Sequence, residues 1–147
     1  MDKSREIAGH EYFSKLYGAT SSEGDPQQTV FDKWRDKILV NAYTKYSTNE
    51  LSQSDVLDVG CGTGNLCLAL AQDPEIVSVC GLDITPAYVE FANRRMNDSR
   101  VECQVGDACA LPFADASFDH TLSMLVLQFV PQADLAVREM RRVTRPG

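Results

Sequence analysis

The spacing of apolar and polar positions changes character after Ser54. Residues 1 to about 28 are polar, with weak helical signals at Tyr12, Phe13, Leu16 and Tyr17, and they end in the loop-like run Ser21-Ser22-Glu23-Gly24-Asp25-Pro26. From there Phe31, Trp34, Ile38, Ala42 and Tyr46 recur at helical spacing and predict an amphipathic helix. Residues 1–50 therefore read as a helical cap or lid segment, in which Trp34 and the preceding tyrosines either join a lid or anchor the first helix on a sheet. After Ser54 strand and helix patterns alternate. Val56 to Val59 is a short apolar strand, Leu66 to Ala71 a helix closed by Asp73-Pro74, and Ile76 to Leu82 a strand rich in branched residues. Pro86 opens a helix that runs to about Met96, where proline suits the first turn. Val101 to Val105 and Asp119 to Leu125 read as two more strands, and Gln132 to Val143 as a last helix before Arg145-Pro146-Gly147. This alternation predicts an α/β fold: a parallel sheet with helices on both faces, formed by residues 51–147.

Composition narrows the class without deciding the function. With 147 residues, 44% apolar and 24% charged, the chain is an ordinary globular sequence with enough material for one core. It holds no apolar run of about 18 residues, and its first residues lack the apolar stretch of a signal peptide, so a cytoplasmic protein without a membrane span is expected. A net charge of −7 would repel a phosphate backbone and argues against nucleic acid as a partner. Cys61, Cys67, Cys80, Cys103 and Cys109 form an odd set with no C-x-x-C pair; they predict neither disulfides nor a metal site, but small buried apolar residues. His10 and His120 lack partners for a triad. Asp115 and Asp119 read as turn residues rather than a catalytic pair. Arg138, Arg141, Arg142 and Arg145 form a basic run on the last helix that would ordinarily be solvated.

The chemistry concentrates in Asp58-Val59-Gly60-Cys61-Gly62-Thr63-Gly64-Asn65. A glycine-rich turn between strand and helix lets backbone approach a ligand where a side chain would block it. A dinucleotide site wants G-x-G-x-x-G. Here the third glycine comes one residue early, Asn65 stands where Gly or Ala is required, and Asp58 just ahead of the turn suits a cation better than a pyrophosphate. Asp83 closes the second strand 23 residues after Gly60, placed to accept hydrogen bonds from ribose hydroxyls. An isolated Asp there would more simply cap a helix, and Asp107, beside Gly106, could be no more than a turn residue.

These residues resemble the class I S-adenosylmethionine-dependent methyltransferases, in particular the small-molecule group with a D-x-G-C-G-T-G signature that includes the quinone-modifying enzymes. The resemblance covers roughly residues 31–147. It implies a Rossmann-like three-layer αβα sandwich with strand order 3-2-1-4, S-adenosyl-L-methionine as cofactor, and a small-molecule methyl acceptor. It implies that Asp58 meets the cationic amino-acid end of the cofactor, directly or through water. Gly60, Cys61, Gly62, Thr63 and Gly64 would pass beneath its methionine and ribose. Asp83 and Ile84 would lie at the ribose and adenine, the Asp107 carboxylate would accept from the adenine amino group, and the Ala108 amide would meet a ring nitrogen. Ser123 to Phe129 would form the loop facing the methyl group, with Gln128 as a contact for cofactor or acceptor. No general base is evident, so alignment and exclusion of water would carry catalysis. Arg142 to Gly147 resemble the turn that in the family leads into a fifth strand. The chain is therefore expected to be truncated, lacking the usual fifth to seventh strands, with an apolar fourth-strand edge open to self-association. Two other readings stay open: a non-catalytic cofactor-binding module, and a nicotinamide-dependent dehydrogenase.

Overall fold

A computed structural model describes residues 51–147; the predicted lid and its amphipathic helix lie outside the described residues. Four parallel strands form one sheet: β1 (Asp55–Val59), β2 (Ser78–Asp83), β3 (Val101–Val105) and β4 (His120–Leu122), in the order β3-β2-β1-β4. Helices α1 (Asn65–Leu70) and α2 (Pro86–Arg95) make the crossovers on either side of β2, and α3 (Ala133–Val143) follows β4 after a 3₁₀ turn at Leu127–Phe129. The fold class and strand order are those the sequence predicts.

Alternation along β1 separates the two faces. Val56 joins Cys67 and Leu70 of α1 and Val89 and Ala92 of α2 in one apolar cluster. Leu57 and Val59 point the other way, into a cluster with Leu82, Leu111, Phe118 and Val143 of α3. Helices therefore cover both faces of the sheet, which is why its central strands are apolar on both sides. Burying a Leu or Val side chain contributes about 1.5–3 kcal/mol each, so these two clusters supply the fold's main driving force. Arg100, just ahead of β3, ties the layer together: its guanidinium donates to the carbonyls of Ala71, Asp73 and Ile76 and pairs with Asp98 at 2.7 Å.

Two sequence expectations change. The fourth strand ends at Leu122 rather than Leu125. Its partner β1 turns away at Gly60, so Ser123 onward has no ladder to join; Leu125 adopts φ 58 and the chain enters the 3₁₀ turn. The basic run is not uniformly solvated either. Arg138 is exposed, but Arg142 is held by Glu139 and Asp115, and Arg145 bonds Asp119 at 2.6 Å. Asp119 also accepts the Asp55 N–H at 2.8 Å, so it secures the start of β1. No helix among the described residues is long and apolar enough to cross a membrane.

Candidate functional site

The carboxyl ends of β1, β2 and β3 lie along one rim, beside the point where the chain's crossovers reverse direction between β1 and β4. In open parallel sheets that is where ligands bind. Three loops build the rim: the glycine turn after β1, the Asp83–Thr85 link into α2, and the turn from Gly106 after β3.

Gly60, Gly62 and Gly64 all have positive φ, between 52 and 81°. Gly60 and Cys61 both donate to the Leu82 carbonyl, at 2.7 and 3.0 Å, which locks the turn against β2. A side chain at Gly60 would run into Val126, whose methyls lie 2.5–2.6 Å from where a Cβ would stand, so the segment after β4 leans directly over the turn. At Gly62 the same direction is open, with nothing within 4 Å. The Gly62 amide donates to Asp83 Oδ2 at 2.9 Å, and Asp83 Oδ1 accepts from the Thr85 amide at 2.8 Å. Asp83 thus bridges the glycine turn and the entry to α2; it does not cap the helix, whose N-cap residue is Thr85. Each of its oxygens still has a lone pair for another donor.

Asp58 occupies the floor beneath the turn, on the α1 and α2 side of the sheet. Its carboxylate is 1% exposed. Oδ2 accepts from the Cys67 thiol at 3.5 Å, whereas Oδ1 is buried with no hydrogen-bond partner. Burial pushes its pKa up to about 7, with nearby Cys103 and Asp83 adding to the rise and the Cys67 bond opposing it. Cys61, Cys67 and Cys103 surround the same floor as free thiols. Mutual hydrogen bonding and burial push the Cys61 and Cys67 thiols upward, so both stay protonated, while Cys103, receiving those bonds, is lowered.

The third loop is a tight turn: Asp107 Oδ1 accepts the Cys109 amide at 2.8 Å and the Asp107 carbonyl accepts the Ala110 amide at 3.0 Å. Asp107 is exposed, Ala108 half-buried against the α3-side cluster. Ile84, 59% exposed, and Val105, 50% exposed, leave apolar surface between this loop and Asp83. Gln128 is exposed on the 3₁₀ turn, flanked by the exposed Leu125 and Phe129. The eleven residues assigned from sequence thus lie on the rim loops after β1, β2 and β3, on the end of β1 beneath them, and on the segment whose Val126 meets Gly60.

The sequence reading did not include Arg95, Cys67 or Cys103 in the site, and it did not show that Val126 packs on Gly60. Arg95 of α2 donates to the Thr63 carbonyl at 3.1 Å and to Asn65 Oδ1 at 3.0 Å while lying over the Phe91 ring, so it holds the far side of the glycine turn. Its register, at the last turn of the helix after the Asp83 strand, was the available signal. The packing of Val126 on Gly60 and of Cys67 and Cys103 around Asp58 had none, because it is set by how the elements pack rather than by a local pattern.

The sequence profile described as "Methyltransferase domain" matches residues 57–147. The chain belongs to this methyltransferase domain family. Among curated relatives, the demethylmenaquinone methyltransferase of Bacillus velezensis is 32% identical over 156 aligned positions, covering all of this chain and 63% of the relative. The malonyl-[acyl-carrier protein] O-methyltransferase of Erwinia pyrifoliae is 41% identical over 93 residues, covering 63% of this chain and 34% of the relative. Among solved structures, the YcgJ protein of Bacillus subtilis superposes with a TM-score of 0.66 at 29% identity, covering 74% of this chain and 47% of that one. The [4+2]-cyclase SpnF gives 0.64 at 31% identity, covering 76% and 42%. The chain spans about 63% of the length of the demethylmenaquinone methyltransferases it matches.

Proposed function

We propose that this chain is the cofactor-binding part of an S-adenosyl-L-methionine-dependent methyltransferase acting on a small-molecule acceptor. The observation that carries the reading is Asp58: a buried carboxylate with one oxygen unpartnered, directly beneath a glycine turn. An orphaned buried acid is costly unless a ligand completes it, and a cationic ammonium is the group that would do so. The residues present fit the cofactor. Asp58 would hold the amino-acid end, directly or through water, and Gly60 to Gly64 would lie under the methionine and ribose. Asp83 has spare lone pairs for the ribose hydroxyls, and Ile84 offers an apolar face to the purine. Asp107 has a second carboxylate oxygen for the adenine amino group, beside the Ala108 amide, and Gln128 borders the acceptor side.

The cofactor, when bound, supplies a sulfonium-activated methyl group. What remains for the protein is to align the acceptor and exclude water. The loop over Gly60 carries Leu125, 70% exposed, and Phe129, 54% exposed, which suits an acceptor with apolar surface. None of the residues that this reading assigns is a general base, so catalysis by orientation is proposed. We place the reaction in the cytoplasm, where five free thiols persist. The outer edge of β4, along which Thr144 bridges Phe118 and bonds Thr121, is proposed as a surface for self-association where that segment leaves it unpaired.

A second reading is a binding module without methyl transfer. Its support is the similarity to a solved structure named as a [4+2]-cyclase, since one fold hosts different reactions. Calorimetric titration with S-adenosylhomocysteine, with NAD as control, tests the cofactor. Binding of the first alone, lost in Asp83→Ala, is expected; binding of NAD instead would overturn the assignment. Transfer of a labelled methyl group to a quinol or fatty-acid acceptor separates the enzyme from the module.

A further inference from the structure

The turn proposed to read adenine is held by one residue pair on α3. Glu139 and Arg142 sit one helical turn apart and face the segment from Leu111 to Asp115. Glu139 Oε2 accepts the Leu111 amide at 2.9 Å, and Arg142 Nη2 donates to the Leu111 carbonyl at 3.0 Å. Both main-chain polar groups of one residue are therefore bonded by side chains of a single helix. Arg142 Nη1 donates to the Phe113 carbonyl and to Asp115 Oδ1, both at 2.8 Å. Its Nε and Nη2 each donate to Glu139 at 2.7 Å. All five guanidinium N–H groups are committed, an arrangement a lysine could not reproduce.

The placement matters because of what lies four residues upstream. Asp107, Ala108, Cys109 and Ala110 form one closed turn, so fixing Leu111 fixes the direction of the Asp107 carboxylate and the Ala108 amide. Leu111 is also 4% exposed within the cluster that contains Leu82 and Val143, which leaves it little room to shift. The charge on Glu139 is secured by its partner: hydrogen bonding to Arg142 holds its carboxyl below the usual range. Arg142 also accepts, through its own carbonyl, the Ala116 amide at 2.9 Å, so helix and loop are tied in both directions.

We infer that Glu139 and Arg142 are positioning residues for base recognition: through the main chain of Leu111 and Phe113 they hold Asp107 and Ala108 in the geometry that selects adenine. This inference rests on the cofactor reading above. A 6-amino purine offers Asp107 a donor, whereas a 6-oxo purine turns an acceptor toward the same carboxylate. A site fixed in place discriminates between them; a site free to turn away does not.

The test compares S-adenosylhomocysteine with S-inosylhomocysteine by calorimetry on the full chain, in wild type, Arg142→Met and Glu139→Gln, with Arg138→Gln as a surface control. Wild type is expected to favour the adenine ligand by about tenfold or more. In both α3 variants that preference falls to about twofold or less, through weaker binding of the adenine ligand only. Arg138→Gln keeps the wild-type ratio. A merely structural role would weaken both ligands by one common factor and leave the ratio intact, and that result overturns the inference. If Arg142→Met does not fold, Glu139→Gln, which keeps the side-chain volume but leaves a single oxygen for the Leu111 amide and the two Arg142 donors that the carboxylate serves, decides by the same ratio. Wild type that binds neither ligand would overturn the cofactor reading and this inference together; wild type that discriminates while both variants still do would overturn this inference alone.

Discussion

Replacing Asp58 by Asn should stabilise the fold, and by an amount that depends on pH. The carboxylate is fully buried with one oxygen unpartnered, and burial raises its pKa from 3.8 to about 7. Between those two values the folded chain holds a proton that the unfolded chain releases. The folded state then binds more protons than the unfolded one, so unfolding free energy falls as pH rises through this window. Above pH 7 the full penalty is present: a shift of about 3 units at about 1.4 kcal/mol each is about 4 kcal/mol. Asparagine has nearly the shape of the protonated acid and never ionises. Its amide brings one further donor to a site with few acceptors, at a cost of about 1 kcal/mol that does not vary with pH.

The Asn variant is therefore expected to lie near or slightly below wild type at pH 4.5 and to exceed it by about 3 kcal/mol at pH 8. Urea unfolding followed by circular dichroism at pH 4.5, 6 and 8 measures this difference directly. Taking the difference between two chains removes the titrating groups that do not interact with Asp58; Cys67, Cys103 and Asp83, which do, contribute to the difference as part of its environment. A gap that stays constant from pH 4.5 to 8 would refute the reasoning, because it would mean that Asp58 ionises in the folded chain as readily as in the unfolded one.

Two further outcomes follow from glycines that stand in close quarters. Gly81→Ala would place a methyl 2.6 Å from Cys103 Sγ and 2.9 Å from Cys61 Sγ, and the overpacking should cost about 1–3 kcal/mol in urea unfolding, with Cys103→Ala in the same chain restoring most of it. Gly60→Ala and Gly62→Ala both strain a left-handed backbone by about 1–2 kcal/mol, but only the first also collides with Val126. Gly62→Ala should therefore be destabilised by that strain alone, clearly less than Gly60→Ala, and yet lose affinity for S-adenosylhomocysteine, whereas equal destabilisation by both would contradict the packing described.

Much of the fold was legible because each strand of the sheet's core announces its own end. The strand pattern read from Ile76 to Leu82 stops at Asp83, where β2 ends, and Val101 to Val105 stop at Gly106; local composition sufficed for both ends, although β2 itself starts at Ser78. The end of β4 was not legible. Ser123 to Val126 continues an apolar run, and what stops the strand is the departure of β1 at Gly60, more than sixty residues earlier. The placement of the rim residues was readable for a similar reason: Asp58 stands one residue before the end of β1, Asp83 ends β2 and Asp107 follows β3, so strand positions put them at one end of the sheet, while their proposed roles came from the family resemblance. Their surroundings were not. That Asp58 lies under Cys67, that Val126 covers Gly60, and that Arg142 spends its guanidinium on Leu111 and Phe113 all depend on contacts between segments 9 to 66 residues apart, set by packing rather than by pattern.

One residue then links stability to ligand binding with opposite signs. The glycine turn is fixed by Asp83 and Arg95, and the proposed adenine turn by Glu139 and Arg142, so the rim is largely formed before any ligand arrives. Asp58 is the exception: its unpartnered oxygen is a cost that the fold carries alone. An ammonium placed against it would make the ionised form the favoured one. Binding between pH 5 and 7 must then release the proton that burial had kept, so affinity for S-adenosylhomocysteine should rise with pH by up to about tenfold per unit and level off above about 7. Over the same range the ligand-free fold loses stability. In Asp58→Asn both slopes should vanish together, with affinity low and flat. Calorimetry across pH 5 to 8 reads the first slope and urea unfolding the second. An affinity that ignores pH in wild type, while stability still follows it, would mean that Asp58 is buried as described but that the ligand's cation sits elsewhere.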